Sequence, residues 1–310
     1  MNRKSASYIF TLLSLTFIFF LITHNKVVLE SVNFSISIWK DNLFPTLFPF
    51  LVVSSMLIEL DFTKSIGKII CKPISKIFNI SYESVLVFIS SLIGGFPTGA
   101  KLTTNLVKKG LIDTKEASRL LMFTSFTNPM FILGFIYTLI PIKKIVYIIL
   151  ISHTLSGILI GIIFRSHVKT NNTPKQNKKE IYLPFGSLFS KSIMDSINTM
   201  FLLLGIITIF SLIVSFFEIT FNINPLIKSI ISGIFEMTQG IKNISCLNIN
   251  ILFKTILITL IISFNGISIH IQVLSIISSE KIKYKPYLLA RIIHSILAST
   301  LVFILIFLTT

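Results

Sequence analysis

A helix-breaking stretch inside apolar sequence limits what this chain can fold into. Residues 90–105 read SSLIGGFPTGAKLTTN, and three glycines and a proline fall close together in them: Gly94, Gly95, Pro97 and Gly99. An α-helix that reaches this stretch loses helix propensity and ladder hydrogen bonds. Lipid offers no partner to the freed backbone groups, so such a break persists only when it is buried in protein or lines a wet cavity. The stretch therefore predicts a half-helix beside a substrate path.

The composition indicates an integral membrane protein. Of 310 residues, 53% are hydrophobic and 13% are charged, and the mean hydropathy is +0.85, above that of soluble domains. The 28 Lys and Arg against 12 Asp and Glu lie between apolar runs, which is typical of cytoplasmic loops, so we expect the lipid bilayer and no nucleic acid as a partner. Cys71 and Cys246 form no metal-binding spacing, and no metal site is predicted. We predict an all-α polytopic fold.

Several apolar runs approach the length of a membrane helix, about twenty residues. They cover residues 8–22, 43–60, 145–164, 193–217 and 288–308. No small-x-small cleavage site follows the first run, so we predict a retained N-terminal membrane helix within residues 1–35. His153, in the third run, is expected to make an interhelical hydrogen bond. Residues 61–83 are amphipathic, and we expect them to lie on the membrane surface.

Other apolar stretches are interrupted before they can span a membrane. They cover residues 85–93, 117–140, 225–250 and 251–263. The interruptions lie in order at Gly95, Asn128, Glu236 and Asn265. We predict re-entrant or broken helices at these places.

A basic segment divides the chain. Residues 165–191 carry six positive charges and one Glu, which favours a flexible cytoplasmic linker between a first membrane repeat at 36–164 and a second at 192–310. Charge counting also places the N-terminus and residues 280–291 in the cytoplasm. A strict inversion of the second half would place 280–291 outside, and this alternative stays open.

The two halves are expected to be related repeats. A short apolar run, a glycine break, a polar helix face, a basic segment and a span follow one another at 85–140 and again at 251–308. An offset of 171 residues places Gly95 on Gly266. Paired broken helices at matching places in two halves are typical of a transporter binding site.

Polar residues follow both breaks on one helix face. Thr98, Lys101 and Asn105 are spaced i, i+3, i+7, and the second half repeats this spacing after its own break. Lys101 either meets an anion or extends to the interface. Glu236 either carries a coupling proton, pairs with a cation, or is a solvated loop residue.

Five motifs in order resemble a known family. GGFPTGAKL, EASRLL, TNP, EMTQG and NGISIHIQV are together similar to the sporulation integral membrane proteins of the YlbJ kind, in the wider nucleoside-recognition Gate group. The resemblance covers residues 43–308. It implies a polytopic protein of spore-forming bacteria, in the membrane around the forespore, distantly similar to concentrative nucleoside transporters and linked to dipicolinic acid movement. Where relatives often have Ser-Gly before the proline, this chain has Thr127 and Asn128.

The spacing and the resemblance together give one set of expected substrate-binding residues. They are Gly94, Gly95, Pro97, Thr98, Gly99, Lys101, Asn105, Asn128, Glu236, Thr238, Gln239, Asn265, Gly266, Ser268, His270 and Gln272. Half-helix ends and Lys101 favour a small anionic substrate.

The expected function is secondary transport of a small organic anion, with dipicolinic acid as the substrate that the resemblance implies. The alternatives are a transporter of nucleosides or other small solutes and a structural or assembly protein of the spore membrane. HExxH, GxSxG and clustered carboxylates do not occur, so we expect no enzyme. We expect no cofactor, and a coupling ion, H⁺ or Na⁺, as one source of driving force. The sequence leaves the oligomeric state open.

Overall fold

The computed structural model describes residues 3–60, 71–165, 184–221 and 223–309. Within these ranges the chain is helical and forms no strand. Four helices are long and apolar enough to cross a membrane, and the number rises to 6 if each of two bent helix pairs is one span. The predicted all-α polytopic fold is confirmed. Most of the linker at 165–191 and the first part of the amphipathic segment at 61–83 lie outside the described residues, so both stay predictions, as do the domain bounds.

The N-terminal helices pack against one long helix. α1 (Arg3–Thr23) and α2 (Asn25–Ile38) meet at a bend of 96°, and a π-helical turn at Trp39–Leu43 joins α2 to α3 (Phe44–Glu59). The indole N–H of Trp39 donates to the carbonyl oxygen of Met200 at 2.8 Å. Ser31 Oγ and Ser215 Oγ lie 2.7 Å apart. Met200 and Ser215 both belong to the long helix α10 (Phe185–Thr220), so these bonds fix α2 and the π-helical turn to it.

The first unit of the repeat follows. α4 (Lys72–Phe78) precedes the unit, whose helices are α5 (Tyr82–Gly94), α6 (Thr98–Lys108), α7 (Thr114–Phe123), α8 (Pro129–Leu139) and α9 (Lys143–Ile163). The side chain of Ser81 caps the N-terminus of α5. Glu116 Oε1 accepts from the backbone N–H of Ser81 and from Ser84 Oγ, both at 2.7 Å. These bonds fix the entry of the half-helix α5 to α7.

α10 (Phe185–Thr220) leads into the second unit. Its helices are α11 (Pro225–Phe235), α12 (Met237–Cys246), α13 (Ile251–Phe264), α14 (Gly266–Ile277) and α15 (Lys285–Thr309). Asn224 and Asn250 start α11 and α13, since each side chain accepts a backbone N–H of the first turn. The predicted interruptions at Glu236 and Asn265 are two of the helix boundaries inside this unit.

The order of helices corrects the predicted register of the repeat. Residues 82–163 begin with a hairpin of two short helices, continue with a broken span and end with an unbroken helix. Residues 225–309 repeat this order. The turn at Gly95 therefore corresponds to the turn at Glu236, and Asn128 corresponds to Asn265. The pairing of Gly95 with Gly266 is wrong because it aligns a hairpin turn with the break of a span.

Two glycines allow the second hairpin to close. A Cβ on Gly240 would lie 2.1 Å from the Cα of Gly233, which no real Cβ contact allows. α11 and α12 thus touch backbone to backbone, as small residues permit between membrane helices.

We expect Gly240→Ala to lower the thermal unfolding midpoint of the purified protein, because the two backbones must separate at a cost of about 1–3 kcal/mol. Gly205→Ala is the matched control, since Gly205 lies within α10 and its Cβ would meet nothing within 4 Å. Both substitutions replace a glycine inside a helix by alanine, so both raise helix propensity and this effect cancels in the comparison. Equal midpoints for the two variants would refute the backbone contact.

Candidate substrate site at four helix breaks

The first hairpin turn packs directly on the break of the first span. The backbone N–H of Phe96 donates to the carbonyl oxygen of Phe126 at 2.7 Å, and Asn128 Nδ2 donates to the carbonyl oxygen of Gly94 at 3.2 Å. Gly95 has φ +73°, and a Cβ there would lie 2.5 Å from the backbone nitrogen of Asn128. The positive φ and the close backbone of Asn128 both restrict this position to glycine.

Residues at the start of α6 also pack on the break of the first span. Pro97 and Gly99 are buried, and a Cβ on Gly99 would lie 2.0 Å from the carbonyl oxygen of Thr124. Residues 124–128, which we call the first span break, are all buried. The first turn of the half-helix α6 therefore rests on the first span break.

The second hairpin turn packs on the second span break in the same way. Asn265 separates α13 from α14, which begins at Gly266, and both residues have positive φ, +77° and +60°. A Cβ on Gly266 would lie 3.2 Å from the backbone nitrogen of Met237, the residue after Glu236. Each unit thus pairs its hairpin turn with its own span break.

The two span breaks also meet each other. Asn265 Nδ2 donates to Ser125 Oγ at 2.9 Å and lies 3.4 Å from the carbonyl oxygen of Ser125. Thr127 Oγ1 donates to the carbonyl oxygen of Ile262 at 3.4 Å. The structure therefore brings together four helix breaks from distant parts of the chain.

Several buried polar atoms beside these breaks lack a hydrogen-bond partner. They are Thr98 Oγ1, Asn265 Oδ1, Ser268 Oγ, Gln272 Oε1 and Gln272 Nε2, and all four side chains are fully buried. Buried polar atoms are almost always paired, because each unpaired group costs free energy. All four residues are members of the set that the sequence predicted. Their free atoms make these four residues candidates for contact with a polar ligand.

The remaining predicted polar residues of α6 lie further from the breaks. Lys101 is half-buried, and its ammonium Nζ donates to the carbonyl oxygen of Asp195 in α10 at 3.4 Å. Asn105 is half-buried one turn later. The charge of Lys101 is therefore directed toward α10.

Glu236 forms the second hairpin turn and caps α12. Its Oε2 accepts from the backbone N–H of Gln239 at 2.8 Å and from the hydroxyl of Thr238. Gln239 Nε2 in turn donates to Asn243 Oδ1 at 3.4 Å. The carboxyl group is fully buried, so the expectation of a solvated loop residue is wrong.

Both ring nitrogens of His270 make hydrogen bonds to nearby groups of the protein. Its Nε2 donates to the carbonyl oxygen of Phe264 at 2.9 Å, which leaves Nδ1 to accept from the Tyr284 hydroxyl at 2.6 Å. Burial raises the pKa of Tyr284 to about 12, so its phenol keeps the proton that it donates. His270 therefore supports the second span break through both of its ring nitrogens.

His153 joins the two span breaks. The backbone N–H of Thr127 donates to His153 Nε2 at 2.9 Å, so the ring proton is on Nδ1 and donates to Ser263 Oγ at 2.9 Å. Thr127 belongs to the first span break, and Ser263 lies in the last turn before the second. The expected interhelical hydrogen bond is confirmed, and the same ring supports both breaks.

Two residues of α15, Arg291 and His294, complete this network, and neither is among the site residues that the sequence predicted. Arg291 Nη1 donates to the carbonyl oxygen of Ser125 at 2.9 Å, and Nη2 donates to that of Met122 at 2.6 Å. His294 accepts from Arg291 at Nδ1 and donates from Nε2 to the carbonyl oxygen of His153. Both residues interrupt an apolar run, and that signal could have identified them.

We expect Gly95→Ala to destabilise the protein strongly, because its Cβ overlaps the backbone of Asn128. Gly110→Ala is the matched control: Gly110 has φ +70°, close to that of Gly95, but its Cβ would meet nothing within 4 Å. Both variants carry positive-φ strain, and Gly95, with ψ −168°, lies in a backbone region that is essentially restricted to glycine, so its strain adds to the overlap. Thermal unfolding of the purified variants measures the difference, and equal midpoints would contradict the close packing of turn and break.

We expect His153→Phe and Ser263→Ala to show energetic coupling of about 0.5–3 kcal/mol in a double-mutant cycle, because they remove the two ends of one buried hydrogen bond. Chemical or thermal unfolding in detergent gives the required free energies. His153→Phe and Ser299→Ala form the control cycle, since Ser299 donates to the carbonyl oxygen of Ile256 instead. Additive effects in the first cycle would show that His153 does not bridge the breaks.

The chain is similar to a known membrane protein over nearly its whole length. Its alignment with the sporulation integral membrane protein YlbJ of Bacillus subtilis (strain 168) is 28% identical over 340 residues and covers 96% of this chain and 83% of the relative. No family model matches the chain. No solved structure matches it. The alignment confirms the YlbJ-like assignment that the five motifs indicated.

Proposed function

We propose that this YlbJ-like chain acts in a bacterial membrane during sporulation and carries a small organic anion through the site at the four breaks. The similarity to a sporulation integral membrane protein and the helices of spanning length support the coarser part, a membrane protein with a role in sporulation. The membrane around the forespore is its proposed location.

One observation carries the transport proposal: four helix breaks meet in this membrane protein, and fully buried, unpartnered polar atoms lie at two of them, those at Gly95 and Asn265, and in the helices that follow. Broken helices that meet from two repeated units form the substrate sites of many secondary transporters. A scaffold would gain nothing from unpaired buried hydroxyl and amide groups, each of which lowers stability.

The helix ends favour a negatively charged substrate. α6 begins at Thr98 and α14 begins at Gly266, so the first turns of two half-helices lie at the breaks. Helix N-termini carry unpaired N–H groups and a partial positive charge, which attract carboxylates. Thr98 and Ser268 place their free hydroxyls in these first turns and supply additional donors.

Dipicolinic acid is the proposed substrate. It is a small planar molecule with two carboxylates, and two N-terminal half-helix ends match two carboxylates in number. The resemblance to YlbJ-type proteins favours the same molecule. Glu236, buried at the second hairpin turn, is the proposed carrier of a coupling ion, H⁺ or Na⁺.

We expect the purified protein in liposomes to take up labelled dipicolinate faster than uridine, because the helix ends favour negative charge over a neutral nucleoside. Liposomes without protein and liposomes with the Gly95→Ala variant are the controls. Preference for uridine would favour the nucleoside alternative. Uptake of neither compound would favour a structural or assembly role.

A further inference from the structure

Arg291 is a fully buried charge without an acidic partner. It is 1% exposed, in the second turn of α15. Its hydrogen bonds go to two backbone carbonyls and to His294, and within the described ranges no carboxylate bonds to the guanidinium. An unpaired buried charge is costly, and such a residue inside a membrane segment usually serves function.

Local dipoles compensate Arg291 only in part. Its two acceptor carbonyls, on Met122 and Ser125, lie at the C-terminal end of α7. A helix C-terminus carries about half a negative charge. His294 adds a neutral acceptor, since its Nδ1 accepts and its Nε2 donates. Positive charge therefore remains at this point.

The guanidinium lies at the meeting of the two span breaks. The carbonyl oxygen of Ser125 accepts from Arg291 Nη1 at 2.9 Å and from Asn265 Nδ2 at 3.4 Å. The two donors therefore share one acceptor. Arg291 Nε has no partner, and neither has Asn265 Oδ1. Arg291 thus offers one unused N–H donor close to Asn265, a residue of the site whose side-chain oxygen is also free.

The other ionisable groups of the site are capped or directed elsewhere. The carboxyl group of Glu236 accepts from a backbone N–H and a hydroxyl at the N-terminus of α12. Lys101 is half-buried and donates toward α10 at Asp195. Arg291 is the group in this region whose charge the described residues leave least balanced.

We infer that Arg291 is the specificity-determining residue that makes the site select carboxylate anions over neutral molecules of the same shape. This assignment rests on the proposed function and replaces Lys101 as the main source of positive charge. Arg291 attracts the carboxylate through its net charge and its free Nε–H, while its other two nitrogens hold the first span break in place.

The test compares dipicolinate with its neutral diamide, which has nearly the same shape. We measure how each compound stabilises the detergent-purified protein against heat, and we compare the concentrations that give half of the maximal stabilisation. We expect the wild type to prefer dipicolinate by about ten- to a hundredfold, the range for one charged hydrogen bond. Arg291→Gln should lose this preference, and Arg291→Lys should keep most of it.

Arg119→Gln is the matched control. Arg119 is a half-buried arginine of α7 whose Nη2 also donates to a backbone carbonyl, that of Asn79 at 2.8 Å, away from the breaks. This variant should keep the wild-type preference. A folded Arg291→Gln variant that keeps the preference would overturn the inference but leave the proposed function intact. A wild type that neither compound stabilises would contradict the proposed function itself.

A second measurement keeps Arg291 in place in case its variants do not fold. The sequence contains four arginines, at positions 3, 119, 165 and 291, so the variant Arg3→Lys, Arg119→Lys, Arg165→Lys retains only Arg291. With ¹⁵N-labelled arginine, its Nε–H gives one NMR signal. We expect dipicolinate to shift this signal and the diamide to leave it unchanged. An unchanged signal at saturating dipicolinate would overturn the inference.

Discussion

The structure depends on how backbone groups are satisfied where helices end inside apolar surroundings. Lipid cannot bond a free N–H or C=O, so each break needs a protein partner. The N–H of Phe96 finds the carbonyl of Phe126, and the N–H of Thr127 finds the ring of His153. Arg291 holds the carbonyl groups at the end of α7. These bonds require the breaks to lie together, and the two repeated units are arranged around that meeting point.

Two sets of buried polar side chains therefore have different roles. His153, His294 and Arg291 use nearly all of their hydrogen-bonding atoms to hold backbone groups or one another. Thr98, Ser268 and Gln272 leave theirs free at full burial. The first set can maintain the broken helices in the absence of ligand. In the proposed substrate site, hydrogen bonds to a polar ligand would recover the free energy that the second set loses.

The sequence predicted the places of the helix breaks well, because glycine, proline and asparagine act through local backbone geometry. It was right about the half-helix before Gly95 and about the interruptions at Asn128, Glu236 and Asn265. It was wrong about which of them correspond. Gly95 and Gly266 are both glycines with positive φ next to a backbone, but one ends a hairpin leg and the other restarts a span, and this difference depends on the helix order of the whole unit.

The sequence by itself determined the class of the protein and the ends of its helices, since apolar length and helix-breaking residues act within a few positions of one another. Only the tertiary structure decided which breaks meet and which polar atoms stay free. Ser125 and Asn265 are 140 residues apart, and Arg291 reaches Ser125 across 166. Whether a buried hydroxyl or amide is paired depends on such distant neighbours, so the partners of His153 and Arg291, and the lack of partners at Gln272, follow from packing and not from local spacing.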